Sequence, residues 1–425
     1  MDPHRRFGQV GISEHRPGPD AGGDRLRSRR VLREREHAGR EGRGERGNRL
    51  SHGGNPIGCE TFLRDVKSRR SFLRLASVGG AFAVAAARSA FGKKRTANSE
   101  ASSASAPRIK PRALRPGDTV GLVAPASYTF DLWQLDDAAA RVEALGLKPR
   151  FGKHVRGRRG FLSGTDDERL EDLHAMFADR SVSAIFALQG GYGTPRLLDR
   201  IDYELVRRNP KILLGYSDIT GLHLAIGRRA GLVTFHGPNM VGSLPPRTLD
   251  LLKKALFVPE PIGEVTNPEE PDPLNVEFPL RTVSRGVARG RTAGGNLTLV
   301  SATMGTPYEI ETKDRIVFLE DTGEAPYRID RMLVQLRLAG KLQQAAGIVF
   351  GTCSDCGPGR SSFELTLSLS EVLEEQLGSL GKPVLAGLVF GHTKEKAILP
   401  IGVDAELDAT ARRVTITEAA TLPAS

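Results

Sequence analysis

Gly215-Tyr216-Ser217-Asp218 joins an apolar run, Lys211–Tyr216 (KILLGY), to a helix that begins at once. A serine on so sharp a strand-to-helix turn is thrust out at the strand's C-terminal end. The N–H groups of the helix start face the same space and suit a developing oxyanion, with the Asp218 N–H first among them. The pattern fits acyl transfer, although Ile219 stands where G-x-S-x-G has its second glycine. It also fits Ser217 as an ordinary helix N-cap. Gln189-Gly190-Gly191-Tyr192-Gly193 follows a second apolar run, Ser183–Leu188 (SAIFAL). Glycines at a strand end let a substrate approach the backbone, so Gly190 or Gly191 could offer an N–H to a carbonyl or oxyanion. A plain tight turn is the alternative. G-G-x-G lacks both the dinucleotide-binding register and the P-loop lysine, which tells against a phosphate cradle.

A serine nucleophile needs a base in hydrogen-bond reach and a group that orients the base. Of nine histidines, four (His4, His15, His37 and His52) fall in an aliphatic-poor N-terminal segment, and His154 and His174 fall on early elements. His223 lies six residues after Ser217, about 600° around a helix, and faces elsewhere. His236 and His392 both directly follow apolar strands, in TFHG and FGHT. Strand ends on one edge of a sheet are where α/β sites gather, so both stay candidates. Glu320, ending IVFLE, is the best carboxylate to orient a base, with Asp321 and Glu324 close by; spacing does not choose among them. Cys353-Ser354-Asp355-Cys356 has no second pair to complete a zinc site. A disulfide or two buried thiols are its expected states.

These residues need elements to hold them. From Pro107 onward short apolar runs alternate with amphipathic stretches, which predicts α/β architecture. Predicted strands are Thr119–Pro125, Ser183–Leu188, Lys211–Tyr216, Leu232–Phe235, Ile316–Glu320, Gly347–Gly351 and Val384–Phe390, with β structure in Ala405–Thr417. Predicted helices are Asp131–Leu145, a stretch through Phe177 opened by the capping box Thr165–Glu168, Ile219–Arg229, Leu249–Leu256, Ala325–Leu338 and Leu365–Leu377. A Pro- and acid-rich stretch separates two halves. The expected organisation is therefore an extension (1–66), an export signal and linker (67–106), a nucleophile domain (107–245), a connection (246–285) and a C-terminal domain (286–425).

The chain has 425 residues, 39% hydrophobic, and a formal charge of +11. A core is affordable at that composition, so a wholly disordered chain is excluded. Residues 1–100 hold 22 Lys+Arg against 11 Asp+Glu, and the remainder holds 39 of each. The folded part is neutral and offers a polyanion no net attraction, so no nucleic-acid partner is expected. Ser68-Arg69-Arg70-Ser71-Phe72-Leu73-Arg74 is a twin-arginine pattern running into the apolar stretch Leu75–Ala87. Those 13 residues are too few to span a bilayer, which takes about 20. They read as an export signal, with Ala85-Ala86-Ala87 or Ala104-Ser105-Ala106 as the cleavage site and a true start near Val66. The expected location is the periplasm or beyond, with the cytoplasm as the alternative.

Taken in order, GGYG, PKILLGYSDITGLHLAI, TFHGP, GGNLTLVSATMGTPYE, IVFLEDTGEAPYRIDRMLVQL and FGH resemble the LD-carboxypeptidases (muramoyltetrapeptide carboxypeptidases), a serine peptidase family that includes the microcin C immunity proteins. The resemblance spans about Arg112 to Thr417. It implies a Ser-Glu-His triad of Ser217 (GYSD), Glu320 (FLED) and His392 (FGH), with no cofactor and no metal. The implied substrate is the tetrapeptide stem of peptidoglycan, cut before its terminal D-Ala. An N-terminal domain like class I glutamine amidotransferases (flavodoxin-like), a C-terminal swivelling β/β/α domain and a homodimer are also implied. Tyr192 and Asn296, in GGNL, become candidate substrate contacts, with Asn296, flanked by glycine, equally expected to hold a turn. Gln189 departs from the Arg that commonly precedes GGYG in the family.

Overall fold

The computed structural model describes residues 107–269, 279–357 and 366–424. The twin-arginine segment and the residues before it lie outside them. In the first half, strand and helix alternate: β1 (Thr119–Val123), α1 (Trp133–Ala144), β2 (Lys148–Phe151), α2 (Asp166–Ala178), β3 (Val182–Ala187), α3 (Tyr203–Arg208), β4 (Ile212–Gly215), α4 (Thr220–Arg229) and β5 (Thr234–His236). Helix α5 (Pro246–Phe257) and strands β6 (Gly263–Val265) and β7 (Arg281–Ser284) follow. The second half begins with β8 (Val287–Asn296), α6 (Leu297–Ala302), β9 (Arg315–Glu320), α7 (Pro326–Leu338), α8 (Lys341–Gln344) and β10 (Gly347–Gly351). It ends with α9 (Leu369–Leu377), β11 (Val384–Leu388), β12 (Leu399–Ile401), β13 (Asp404–Asp408) and β14 (Arg413–Ile416).

Local chemistry accounts for the element starts. Thr165 and Glu168 form a reciprocal capping box at α2, as their spacing predicts, and Ser368 with Glu371 form another at α9. Pro326 occupies the first position of α7, and Ile329, Met332, Leu333 and Leu336 are its buried stripe. The sequence reading missed β8, because Gly290, Gly294 and Gly295 make it look like a loop. The fold needs all three there, and a Cβ on Gly290 would overlap the Asp314 carbonyl oxygen. A Cβ on Gly294 would lie 1.8 Å from the Phe318 carbonyl oxygen, and one on Gly295 (φ +140°) 2.5 Å from Thr220 Oγ1.

Two sheets result. The first runs β12-β5-β4-β3-β1-β2, parallel throughout except for the antiparallel edge strand β12. The second runs β6-β14-β13-β8-β9-β10-β11-β7, with β8 to β11 parallel and the rest antiparallel. Strand β12 follows β11 in the chain yet pairs with β5, Leu399 opposite His236, so the second half laces into the first sheet. The stretch 246–285, expected as a connection with one helix, also supplies two strands to the second sheet.

Three apolar cores hold this together. Leu170, Phe177, Ile185, Leu213 and Ile226 pack beneath α2 and α4, and Leu297, Val317, Ile329, Leu333 and Phe350 beneath α6 and α7. The third core is shared: Leu122, Phe186, Leu214 and Phe235 of the first sheet join Phe318, Val349, Leu385 and Leu407 of the second. Central strands such as β4 are buried along their whole length, which is why they read as unbroken apolar runs.

Candidate active site

Strand β4 delivers Gly215 to the sheet edge, and the chain turns at once into a short 3₁₀ turn, Ser217–Ile219, ahead of α4. Ser217 has φ +65°, in the left-handed region that a serine seldom occupies. The N-cap of the turn is Tyr216, so Ser217 is not the helix cap that its spacing also allowed. Such a conformation costs about 1–3 kcal/mol and persists only where its surroundings enforce it. Here the Tyr216 N–H donates to Asn239 Oδ1 (3.2 Å), His223 Nε2 bonds the Gly215 carbonyl (2.9 Å), and Asp218 Oδ2 accepts from the Thr194 N–H (2.7 Å).

His392 Nε2 lies 3.0 Å from Ser217 Oγ, and His392 Nδ1 lies 2.7 Å from Glu320 Oε2. A carboxylate only accepts, so Nδ1 carries the proton and Nε2 presents its lone pair to the serine hydroxyl. Glu320, the last residue of β9, is completely buried. His392 sits in the loop where the chain leaves the second sheet, after β11, for β12 in the first. Gly391 before it has φ +79°, and a Cβ there would lie 2.2 Å from Glu320 Oε2. The glycine of FGH therefore provides both the turn and the room for the carboxylate.

The competing candidates have other work. Asp321 is buried and accepts from the Thr298 N–H, Thr298 Oγ1, Asn296 Nδ2 and its neighbour's N–H, fastening α6 to the end of β9. Glu324 faces Arg328 at 3.4 Å. His236 is fully buried beside Tyr216 and Phe390, and neither ring nitrogen has a partner; burial holds it well below the ordinary histidine range and hence neutral. Asn296 takes the turn-holding one of its two expected roles. It is 3% exposed, its Oδ1 caps α6 through the Leu299 N–H, and its amide is given to Asp321. A side chain so occupied holds the loop rather than a substrate.

Gly190 comes against the nucleophile: a Cβ there would lie 2.8 Å from Ser217 Cβ and 3.3 Å from the Asp218 nitrogen. Gly191 (φ +99°) leaves room for Ser127, whose Oγ accepts the Tyr192 N–H at 3.1 Å. Tyr192 is half-exposed and edges onto Phe161, 5.5 Å between rings. Gln189 donates its amide to the Tyr128 carbonyl. With Tyr216, Asn239, Val241 and His392, residues 189–191 and Ser217 line an open depression of about 300 Å³. Larger cavities, about 410 and 650 Å³, occur elsewhere but hold no hydroxyl, imidazole and carboxylate in line.

Sequence reasoning passed over Ser127, Asn239, Thr194 and Lys396. Asn239 follows TFHGP directly, and its place in that motif was the available signal. Lys396 is buried, donates to the Thr393 carbonyl and stands 5.2 Å over the Tyr216 ring; burial lowers its ammonium and the Glu320 charge partly restores it. Cys353 and Cys356 are joined as a disulfide, one of the two states expected. Between them, Ser354 Oγ donates to the His392 carbonyl, and its own carbonyl accepts the Gly323 N–H at 2.8 Å.

Residues 120–237 match the LD-carboxypeptidase N-terminal domain, and residues 289–407 the LD-carboxypeptidase C-terminal domain. The chain is 45% identical over 314 residues to a probable murein peptide carboxypeptidase of Bacillus subtilis (strain 168), covering 73% of this chain and 94% of that one. It is 31% identical to the murein tetrapeptide carboxypeptidase of Pseudomonas aeruginosa, covering 68% and 92%. Among solved structures, the wild-type apo microcin C7 self-immunity protein MccF aligns at TM-score 0.67 and 26% identity, over 74% of this chain and all of that one. The muramoyltetrapeptide carboxypeptidase of Oxalobacter formigenes aligns at 0.60 and 28%, over 72% and 100%.

Proposed function

The chain belongs to the LD-carboxypeptidase family, and from that premise we propose that it is a serine peptidase releasing terminal D-Ala from the tetrapeptide stems of peptidoglycan. The observation that carries the reading is the unbroken hydrogen-bond chain Ser217–His392–Glu320. In this mechanism His392 Nε2 takes the Ser217 proton as Oγ attacks the scissile carbonyl, then passes it to the D-Ala amine as that bond breaks. Glu320 fixes the tautomer and stabilises the imidazolium. The Asp218 N–H and an N–H of Gly190 or Gly191 receive the oxyanion; losing one such donor typically lowers the rate ~10²–10³-fold. Water then attacks the acyl-serine, with His392 again as base. Tyr192, half-exposed and next in the chain to Gly191 of the depression, is the proposed contact for the stem peptide.

Ser217→Ala should abolish D-Ala release from a defined tetrapeptide stem, measured by mass, while stem binding stays within about threefold. Equal release by wild type and variant would refute the catalytic role and favour a wall-peptide binder. The likeness to MccF supports a second substrate class, acyl-adenylates; turnover of a microcin-like adenylate beside the stem peptide separates the two. Three further readings belong to this proposal. The order β2-β1-β3-β4-β5 supports a flavodoxin-like, glutamine amidotransferase-type first half, and the mixed second sheet a swivelling β/β/α second half. The twin-arginine pattern supports export, which the N-terminus of the native protein would test. Sedimentation would test the expected homodimer.

A further inference from the structure

A cavity of about 410 Å³ lies between the two sheets, and no triad residue lines it. Its walls come from both halves: the end of α4 and the approach to β5 on one side, the middle of β8 and the start of β9 on the other. Arg315 begins β9 and Glu320 ends it, five residues or roughly 16 Å farther along at strand rise. The cavity therefore opens at the opposite strand ends from the triad.

Four arginines reach this space: Arg108, Arg228, Arg291 and Arg315. Three of them have carboxylates. Arg108 pairs with Glu418, Arg228 lies 3.7 Å from Glu311, and Arg291 lies 3.7 Å from Asp404. Arg315 has no ion-pair partner among the described residues, and its Nε is buried without a hydrogen bond. It stands directly across the ladder from Arg291, on the same face of the sheet. Burial pulls its guanidinium down, and Arg291 and Arg108 add like charge, opposed only by Glu311. A desolvated guanidinium without an acceptor is costly, and a bidentate anion matches its fork. Two carboxylates share the wall, Glu311 beside Arg228 and Glu309, which pairs with Lys341 at 2.9 Å; much of the rest is apolar, including Leu224, Val233, Ile310 and Ile401. The volume lies in the range of small-molecule sites.

We propose that this inter-sheet cavity is a binding site for a small organic anion, its carboxylate or phosphate held by Arg315 beside Arg291 and its short apolar body against the aliphatic wall. His223 lines the same cavity and bonds the Gly215 carbonyl two residues before Ser217, so an occupant touches the support of the nucleophile turn. The site stands independently of the peptidase reading.

Calorimetric titration of the full chain with acetate, butyrate, inorganic phosphate and butyl phosphate tests this. One equivalent of butyrate or butyl phosphate should bind, at least threefold tighter than its compact counterpart. Arg315→Gln should weaken binding at least tenfold and Arg291→Gln, a half-exposed residue whose loss spares the fold, about threefold. Binding should persist in Ser217→Ala. The proposal falls if no probe binds the wild type, if the butyl group adds nothing, if both arginine variants bind as wild type, or if Ser217→Ala alone removes binding.

Discussion

Two residues around the triad hold states that the fold enforces: a glycine where no side chain fits, and an imidazole that burial keeps neutral. Gly391 has φ +79° and lies where a Cβ would overlap Glu320 Oε2. Gly391→Ala should lower stability by about 2–4 kcal/mol in urea unfolding and reduce kcat at least ~10²-fold, because the methyl group must displace the carboxylate or the histidine. His223 is fully buried, and its imidazole is pushed down to about 4, chiefly by burial and despite its bond to the Gly215 carbonyl. In the unfolded chain the same group takes a proton near pH 6.5. Between these values the unfolded state holds more protons, so stability is complete above about pH 6.5 and is lost as pH falls toward 4. His223→Gln should reduce the slope of the urea midpoint against pH across that window, leaving the share that buried His236 contributes in the same way; an unchanged slope would show that His223 titrates normally when folded.

At the level of elements, the groups that act are held by loops that are themselves held. The hairpin-like segment Cys353–Cys356 fixes Ser354 against both the His392 carbonyl and the Gly323 N–H, next to the end of β9. A Cys353→Ser/Cys356→Ser double variant should therefore keep the thermal midpoint within a few degrees but lower kcat about tenfold with little change in KM. A fall in KM-linked binding instead would place the segment at the substrate. Elements were legible where burial on both faces (β1, β3, β4), a capping box (α2) or an apolar helical stripe (α7) wrote them locally. Strand β8 was not legible, since its glycines serve contacts with Phe318 and Thr220 that no local pattern encodes. Nor was the task of Asn296: one glycine-flanked asparagine can face a substrate or cap α6, and only the position of Asp321 decides.

Across the whole molecule, the triad is divided between sheets that share one apolar core. Rigid-body opening of the halves would expose Phe186, Phe235, Phe318 and Leu385 together, so the packing favours a site assembled once on folding over one gated by domain docking. The register between the halves is set at α4 and β8, where the buried Thr220 Oγ1 accepts the Asn296 N–H at 3.0 Å. Thr220→Val keeps the shape and strands that N–H. It should cost about 1–3 kcal/mol in urea unfolding and lower kcat more than it raises KM, because the first residue of the nucleophile helix shifts against Glu320. Unchanged kcat would show that the two sheets are aligned elsewhere.

By itself the sequence determined the residue types, the α/β alternation, the turn after β4 and the glycines beside it, since propensity, capping and apolar periodicity act over a few neighbouring positions. Spacing alone left His236 level with His392, since both follow apolar strands, and preferred Glu320 without excluding Asp321 and Glu324 just beyond the same strand; only the resemblance of the ordered motifs pointed to His392 and Glu320. Tertiary structure separated them. The return of β12 to the first sheet carries His392 across to Ser217, while burial leaves His236 neutral among aromatic rings. The reason is physical: a hydrogen bond at 3 Å depends on chain segments 175 residues apart, and their meeting is fixed by the shared core rather than by any local preference.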